Sequence, residues 1–251
     1  MSVVTLDMAA PVATVRMDDA TGQNRLSPEL RAGTIAALEQ AGGAPDVRAV
    51  VLEGLPEIFC AGGSAEQMLG SREHRVDGVW EFLNAVLGCP VPVLAAAQGH
   101  ALGGGFLLAL YCDVTVLSES SRYAANFLTY GFTPALGATY LLPAKLGMAL
   151  GTELLYSGRS YLGRELADRG AGVRVTADGN VVAQTQRTAL RIAQAPREAV
   201  ERLKAQLREQ VGGQAQAAHA REIPDHQATI SSAEARRRIQ ALYADRPVVG
   251  S

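Results

Sequence analysis

The chain has 251 residues, of which 48% are hydrophobic and 19% charged, and it carries a formal net charge of −2. These values suit one large domain, or one domain with a helical appendage, able to bury a sizeable core. They give no sign of a nucleic-acid-binding or membrane-surface protein, and Gly or Pro breaks each long apolar run short of a membrane span.

The N-terminus lacks a charged stretch followed by an apolar one, so no secretory signal is expected. Cys60, Cys89 and Cys112 are odd in number and lie in apolar contexts, as reduced core residues of a reducing, cytoplasmic compartment do. No Cys/His spacing suggests a metal, and no cofactor is implied. Arginine supplies almost all the positive charge, because Lys145 and Lys204 are the only lysines.

In chain order, alternating runs at residues 3–8 and 12–17, separated by AAP, predict an antiparallel strand pair. SPELRAGTIAALEQA follows as a helix. Ser27 is its N-cap, Pro28 suits the first turn, and Leu30, Ile35, Ala36 and Leu38 form a buried stripe. VRAVVLEG (47–54) predicts a buried strand, PEIFCAGGSAEQMLG a loop entering a helix, and PVPVLAAAQG another buried strand. GHALGGGFLLALYCD (99–113) is a glycine turn opening into an apolar helix, and the strand VTVLS comes next. Val-, Leu- and Ala-rich strands alternating with helices predict an α/β fold with a parallel sheet and crossover helices. Beyond Gly137 the composition turns helical, above all from 181 to 243, and this part is expected to pack back on the core or on a neighbouring subunit.

Three glycines at the mouth of an apolar helix need a reason, since glycine is a poor helix former. Two readings stand. The first N–H groups of a helix lack intrahelical partners and lie at the positive end of its dipole, so a glycine turn there can cradle an anionic oxygen. Alternatively, glycine only permits a tight strand–helix junction. The spacing GGGFLL is not GxGxxG, and no acidic residue is suitably placed downstream, which argues against dinucleotide binding. IFCAGGS (58–64) is a second glycine loop between a strand and a helix, and two such loops can donate two N–H groups to one oxygen.

FCAGG, PVPVLAAAQGHALGGGFLLALYCD and YGFTPALGATYLLPAKLG together resemble the crotonase (enoyl-CoA hydratase/isomerase) superfamily over essentially the whole chain. The resemblance implies a crotonase-like ββα spiral core at 1–190. It also implies a C-terminal helical trimerisation region at 191–251, covering the active site or building the oligomer interface of a homotrimer or hexamer. It implies a catalytic oxyanion hole made by the N–H groups of Gly63 and Gly104, which polarises an acyl-thioester carbonyl. Losing one donor of this kind costs roughly 2.7–4 kcal/mol of transition-state stabilisation.

The two glutamates of the family's hydratases fall at Leu107 and Phe127 here, and neither can move a proton. Residues 123–147, 157–163 and 221–243 look like a narrower group, the decarboxylating homologues of polyketide β-branching cassettes. That likeness implies a 3-methylglutaconyl-type chain on the phosphopantetheine arm of an acyl carrier protein (or on coenzyme A), losing CO2 through a dienolate. It also implies a functional histidine at His226. On context alone His226 is a surface residue of a solvated helix; with the family match it binds a carboxylate or delivers a proton, since an unperturbed imidazole titrates near pH ~6.5.

One departure stands out. The group's lysine after the first oxyanion loop is absent, and Arg72, His74 and Arg75 occupy that segment. Arginine can bind a carboxylate bidentately but cannot donate the proton; the segment also reads as a plain charged turn. Asn126, Tyr130 and Tyr123 are expected on the cleft wall, Tyr130 as a hydrogen-bond donor or as packing. Ser64 is expected to cap the helix AEQML, His100 to brace the glycine turn, Asp113 to end the apolar helix, Trp80 to lie in the core and His219 on the surface. Two other functions stay open: a different crotonase reaction (hydration, dehydration or isomerisation) with an unconventional base such as His226, or a lapsed catalyst that only binds a carrier protein.

Overall fold

The structure, a computed structural model, describes residues 2–70 and 76–244. Strands β1 (Val4–Asp7) and β2 (Val12–Met17) form the expected antiparallel pair, with Val4 opposite Met17. β3 (Ala49–Glu53), β5 (Val93–Ala97), β7 (Val114–Ser118) and β10 (Arg174–Thr176) add in parallel, giving the order β1-β2-β3-β5-β7-β10. β3 and β5 are buried along their whole length and, apart from Glu53 at the end of β3, read as continuous apolar runs rather than alternating ones. Their side chains still alternate between two cores: Val50 and Leu52 join the main one, and Ala49 and Val51 pack with Val181 and Ala189 of α8 (Val181–Ile192) on the opposite face.

A second sheet comes from strands of three residues each: β4 (Ile58–Cys60), β6 (His100–Leu102) and β8 (Arg122–Ala124) run parallel, and β9 (Ser160–Leu162) closes antiparallel on β8. Between the sheets lies α4 (Gly104–Tyr111), buried from Gly105 onward. α1 (Pro28–Gly43) starts as predicted, with Ser27 accepting from the Leu30 N–H at 3.1 Å. Its buried face differs from the expected one: Ala36 is exposed, and Thr34 and Ala37 are buried beside Leu30 and Leu38. The Thr34 hydroxyl is satisfied by the Leu30 carbonyl, so a polar side chain enters the core without an orphaned group.

α2 (Ala65–Leu69) and α3 (Asp77–Gly88) follow β4, and α5 (Ala138–Leu146), α6 (Met148–Ser157) and α7 (Gly163–Asp168) surround β9. α9 (Arg197–Ile230), 34 residues long, packs on α3 and α5, and α10 (Ala233–Ala244) turns back onto α2 and the 3-10 turn Leu128–Tyr130. Among the described residues no helix is long and apolar enough to cross a membrane, and no cluster of His, Cys, Asp and Glu is arranged to hold a metal ion. The three cysteines are free and buried, and burial pushes the thiols of Cys60 and Cys112 up to about 12, where thiolate chemistry is suppressed.

Both lysines converge on one place. Lys204 Nζ, on a side chain only 2% exposed, pairs with the Asp113 carboxylate at 2.6 Å, and Lys145 Nζ donates to the Cys112 carbonyl at 3.0 Å. Asp113, which follows the apolar helix α4, also accepts from the Val93 N–H at 2.8 Å and so ties α9 to the start of β5. Removing one partner strands the other as a buried charge, so Asp113→Ala is expected to cost about 3–5 kcal/mol. Urea unfolding checks this; a loss below about 1 kcal/mol would rank the pair with ordinary surface ion pairs.

Candidate active site

β4, β6 and β8 run the same way, so the segments after Cys60, Leu102 and Ala124 leave the small sheet at one end. The carboxyl ends of parallel strands are where open α/β sheets hold ligands. Gly63 after β4, Gly103 and Gly104 after β6, and Asn126 and Phe127 after β8 line one cavity there, of about 100 Å³. Tyr130, Leu136, His226 of α9 and Tyr243 of α10 close its other sides.

The two glycine turns touch. Gly62 has φ +78°, and a β-carbon on it would lie 2.4 Å from the Leu102 carbonyl oxygen and 3.3 Å from the Gly104 nitrogen. Within the triplet, Gly103 takes φ +53° to cap α4, and a β-carbon on Gly105 would fall 2.2 Å from the Cys60 carbonyl oxygen. The first glycine therefore serves the turn and the third the packing, and the middle one lines the cavity beside the first. As the first residue of α4, Gly104 has an N–H with no acceptor inside the helix, at the positive end of its dipole. The first turn is stapled in place. Leu26 N–H donates to the Gly62 carbonyl at 2.9 Å. Ser64 caps α2 as predicted and exchanges hydrogen bonds with Gln67, whose amide also donates to the Leu26 carbonyl at 2.8 Å.

α9 lays a polar stripe along the loop between Gly131 and Ala138. Thr229 accepts from the Thr133 N–H at 3.0 Å, His226 Nδ1 meets the Thr133 carbonyl at 2.7 Å, and Glu222 accepts from the N–H groups of Gly137 and Thr139 at 2.7 and 2.8 Å. A carbonyl oxygen only accepts, so His226 Nδ1 carries a proton, and Nε2 is the nitrogen through which the ring exchanges one. His226 is thus a buried cavity residue, and the solvated-helix reading of it does not hold. The same loop holds Leu136 on the cavity wall at φ +66°, a conformation that costs a non-glycine residue about 1–2 kcal/mol. The Tyr111 hydroxyl donates to its carbonyl at 2.7 Å and His219 Nδ1 accepts from its N–H at 3.2 Å, which fixes both of its peptides.

His219 corrects a sequence expectation. It is buried, not on the surface, and its ring stacks on Trp80 at 4.0 Å, with Trp80 half-buried at the edge of the core. The helix is polar in composition, but the face carrying residues 219, 222, 226 and 229 is turned inward. Burial lowers the His219 pKa, and the ring must be neutral at Nδ1 to accept from Leu136. The unfolded chain titrates near ~6.5 and so takes up more protons below that pH, which means stability falls on acidification until the lower folded value is passed. In His219→Asn that acid-side loss is expected to shrink in urea unfolding between about pH 8 and about pH 5; an equal loss in both proteins would place the acid sensitivity elsewhere.

Five of the predicted site residues, Gly63, Gly104, His226, Asn126 and Tyr130, meet in the cavity. Arg72, His74 and Arg75 lie outside the described residues. Tyr123 is not on the cavity wall: it is buried, with its hydroxyl between the Ala97 carbonyl and the Ser118 N–H, each at 2.7 Å. His100 holds the start of β8 rather than the glycine turn, its Nδ1 accepting from the Arg122 N–H at 3.0 Å. Leu107 and Phe127 are buried apolar residues, Phe127 on the cavity wall. Two polar cavity residues went unpredicted: Gln67, signalled by the S-x-x-Q spacing of a capping box, and Tyr243, which no motif marks.

The chain matches the family model for enoyl-CoA hydratase/isomerase over residues 7–247. It is 35% identical over 249 residues to the bacillaene synthase decarboxylase PksI of Bacillus subtilis (strain 168), with 97% of this chain and 99% of that protein covered. A solved structure from a dehydratase/decarboxylase enzyme couple involved in polyketide β-branching superposes with a TM-score of 0.91 at 35% identity, covering 96% of each chain. The ECH2 decarboxylase domain of CurF from Lyngbya majuscula does so with a TM-score of 0.89 at 32% identity, covering 96% of this chain and 100% of that one. By its nearly full-length match and its crotonase fold, this chain belongs to the enoyl-CoA hydratase/isomerase family.

Proposed function

We propose that this protein decarboxylates a 3-methylglutaconyl-type thioester held on the phosphopantetheine arm of an acyl carrier protein. The observation that carries the reading is one largely apolar cavity uniting Gly63, Gly104 and His226, with Phe127 and the buried Leu107 where a hydratase would need carboxylates. Further support comes from the decarboxylases among its relatives.

In this reading the thioester oxygen accepts from the Gly63 and Gly104 N–H groups. The bond to the distal carboxylate breaks, and its electron pair passes through the conjugated double bond to that oxygen as CO2 leaves. The resulting dienolate takes one proton from protonated His226 at Nε2, and solvent returns one proton to the ring. Apolar walls favour the first step, because a poorly solvated carboxylate gives up its concentrated charge to a dispersed one. Arg72 or Arg75 binds the departing carboxylate, and the region 191–251 builds a homotrimer or hexamer, in keeping with the exposed Leu203 and Leu207 of α9.

Incubation with 3-methylglutaconyl carrier protein, followed by intact mass, is expected to show loss of CO2; no conversion above background would sink the proposal. The matching coenzyme A thioester tells whether the carrier protein is needed. Arg72→Ala or Arg75→Ala is expected to raise KM about tenfold or more for the carboxylated substrate and to leave a neutral enoyl analogue unaffected. Identical effects on both analogues would remove the arginines from carboxylate binding.

A further inference from the structure

We infer that Tyr243, in the last turn of α10, is a positioning residue for the oxyanion turn, so that the site is complete only with the C-terminal helix seated. The inference rests on the oxyanion role proposed for Gly63.

Gly63 follows another glycine, and neither has a side chain to hold its backbone. Its conformation is set by what grips the two peptides around it. The carbonyl of Gly62 accepts from the Leu26 N–H at 2.9 Å, which holds the peptide that carries the Gly63 N–H. The next peptide is held at both ends: the Ser64 N–H donates to Gln67 at 2.8 Å, and the Gly63 carbonyl accepts from the Tyr243 hydroxyl at 2.7 Å. Holding both peptide planes fixes φ and ψ at Gly63, and with them the direction of its N–H. Two of these grips lie early in the chain; the third comes from 180 residues away.

Tyr243 is itself located by a row of rings along the cavity. It stacks on Tyr130 at 6.0 Å, Tyr130 stacks on Phe132 at 6.0 Å, and Phe132 meets the His226 ring edge-on at 5.3 Å. All four line the cavity. The row spans from the histidine to the glycine turn, and α10 packs on α2, the helix that this turn opens. A shift of α10 therefore reaches the oxyanion turn through the Tyr243 hydroxyl as well as through the packing on α2.

The test compares Tyr243→Phe, which keeps the ring stack and loses the hydroxyl, with Tyr243→Leu, which loses both. Turnover is measured on the 3-methylglutaconyl thioester. The carbonyl stretch is measured on bound, unreactive 3-methylglutaryl pantetheine thioester carrying 13C at the carbonyl. Tyr243→Phe is expected to lose about 3- to 10-fold in kcat with KM unchanged, and to show a smaller carbonyl downshift than wild type. Tyr243→Leu is expected to lose at least as much of both. Wild-type kcat and an unchanged band in Tyr243→Phe would overturn the positioning role, as would a raised KM with an unchanged band, which marks packing alone. A wild-type band no lower than that of the thioester in water would instead overturn the oxyanion reading of Gly63. The two failures are thus told apart without any turnover.

Discussion

Replacing His226 by alanine is expected to lower kcat by about 10²–10⁴-fold, the usual worth of a positioned acid or base, with a much smaller change in KM. The expectation follows from what holds the ring. Thr133 accepts the Nδ1 proton at 2.7 Å, Phe132 packs edge-on against the imidazole, and the side chain is buried on the cavity wall. In the proposed reaction Nε2 handles the transferred proton, because Nδ1 is committed to Thr133. His226→Asn sharpens the test, because its amide can still donate to the Thr133 carbonyl but cannot exchange a proton at Nε2. A proton donor predicts that both variants are crippled in kcat. Equal losses of affinity and rate in His226→Ala, or near-normal turnover in His226→Asn, would assign His226 to binding or structure.

Gly62→Ala is expected to be nearly as damaging by a different route. At φ +78° an L-residue costs about 1–2 kcal/mol. The added β-carbon would also fall 2.4 Å from a backbone carbonyl that no side-chain rotation can move. One glycine turn must then retreat from the other, which separates the amides of Gly63 and Gly104. Misplacing one oxyanion donor is worth about 10²–10³ in kcat. Gly63→Ala is the contrast, because a β-carbon there meets only the side chains of Gln67 and Met68 at 3.8 Å. It is expected to fold with near-normal stability. Measured together, Gly62→Ala should lose both melting temperature and kcat, and Gly63→Ala should hold its melting temperature. A Gly62→Ala enzyme with normal kcat would show that contact between the two turns is irrelevant to catalysis.

The large sheet was legible apart from its edge strand β10, which lies in the part read as helical, because its central strands are runs rich in Val, Ala and Leu buried on both faces. The small sheet was not, because three residues are too few to show any alternation. Yet the small sheet gathers the site: its parallel strands bring three loops to one end. The glycine turns were marked by motif and His226 by the family resemblance alone, and five of the eight proposed site residues reach the cavity. The inward face of α9 was missed at His219 because mean composition hides a stripe. Read at helical spacing, His219, Glu222, His226 and Thr229 share one face, opposite a loop that has backbone N–H groups to satisfy. Ala36 failed for the converse reason, since a small apolar residue tolerates either side of a helix. Tyr243 carries no local signal at all; its importance comes from a partner at the far end of the chain.

The fate of the two lysines has a practical side. With one ammonium group locked onto a carboxylate and the other against main-chain oxygens, neither lysine of the folded chain is readily offered to amine-reactive reagents. Acylation of Lys204 would then clock how often α9 lifts from the body of the molecule. That same helix bears His226, so a slow chemical modification at one end would report the breathing of the site at the other.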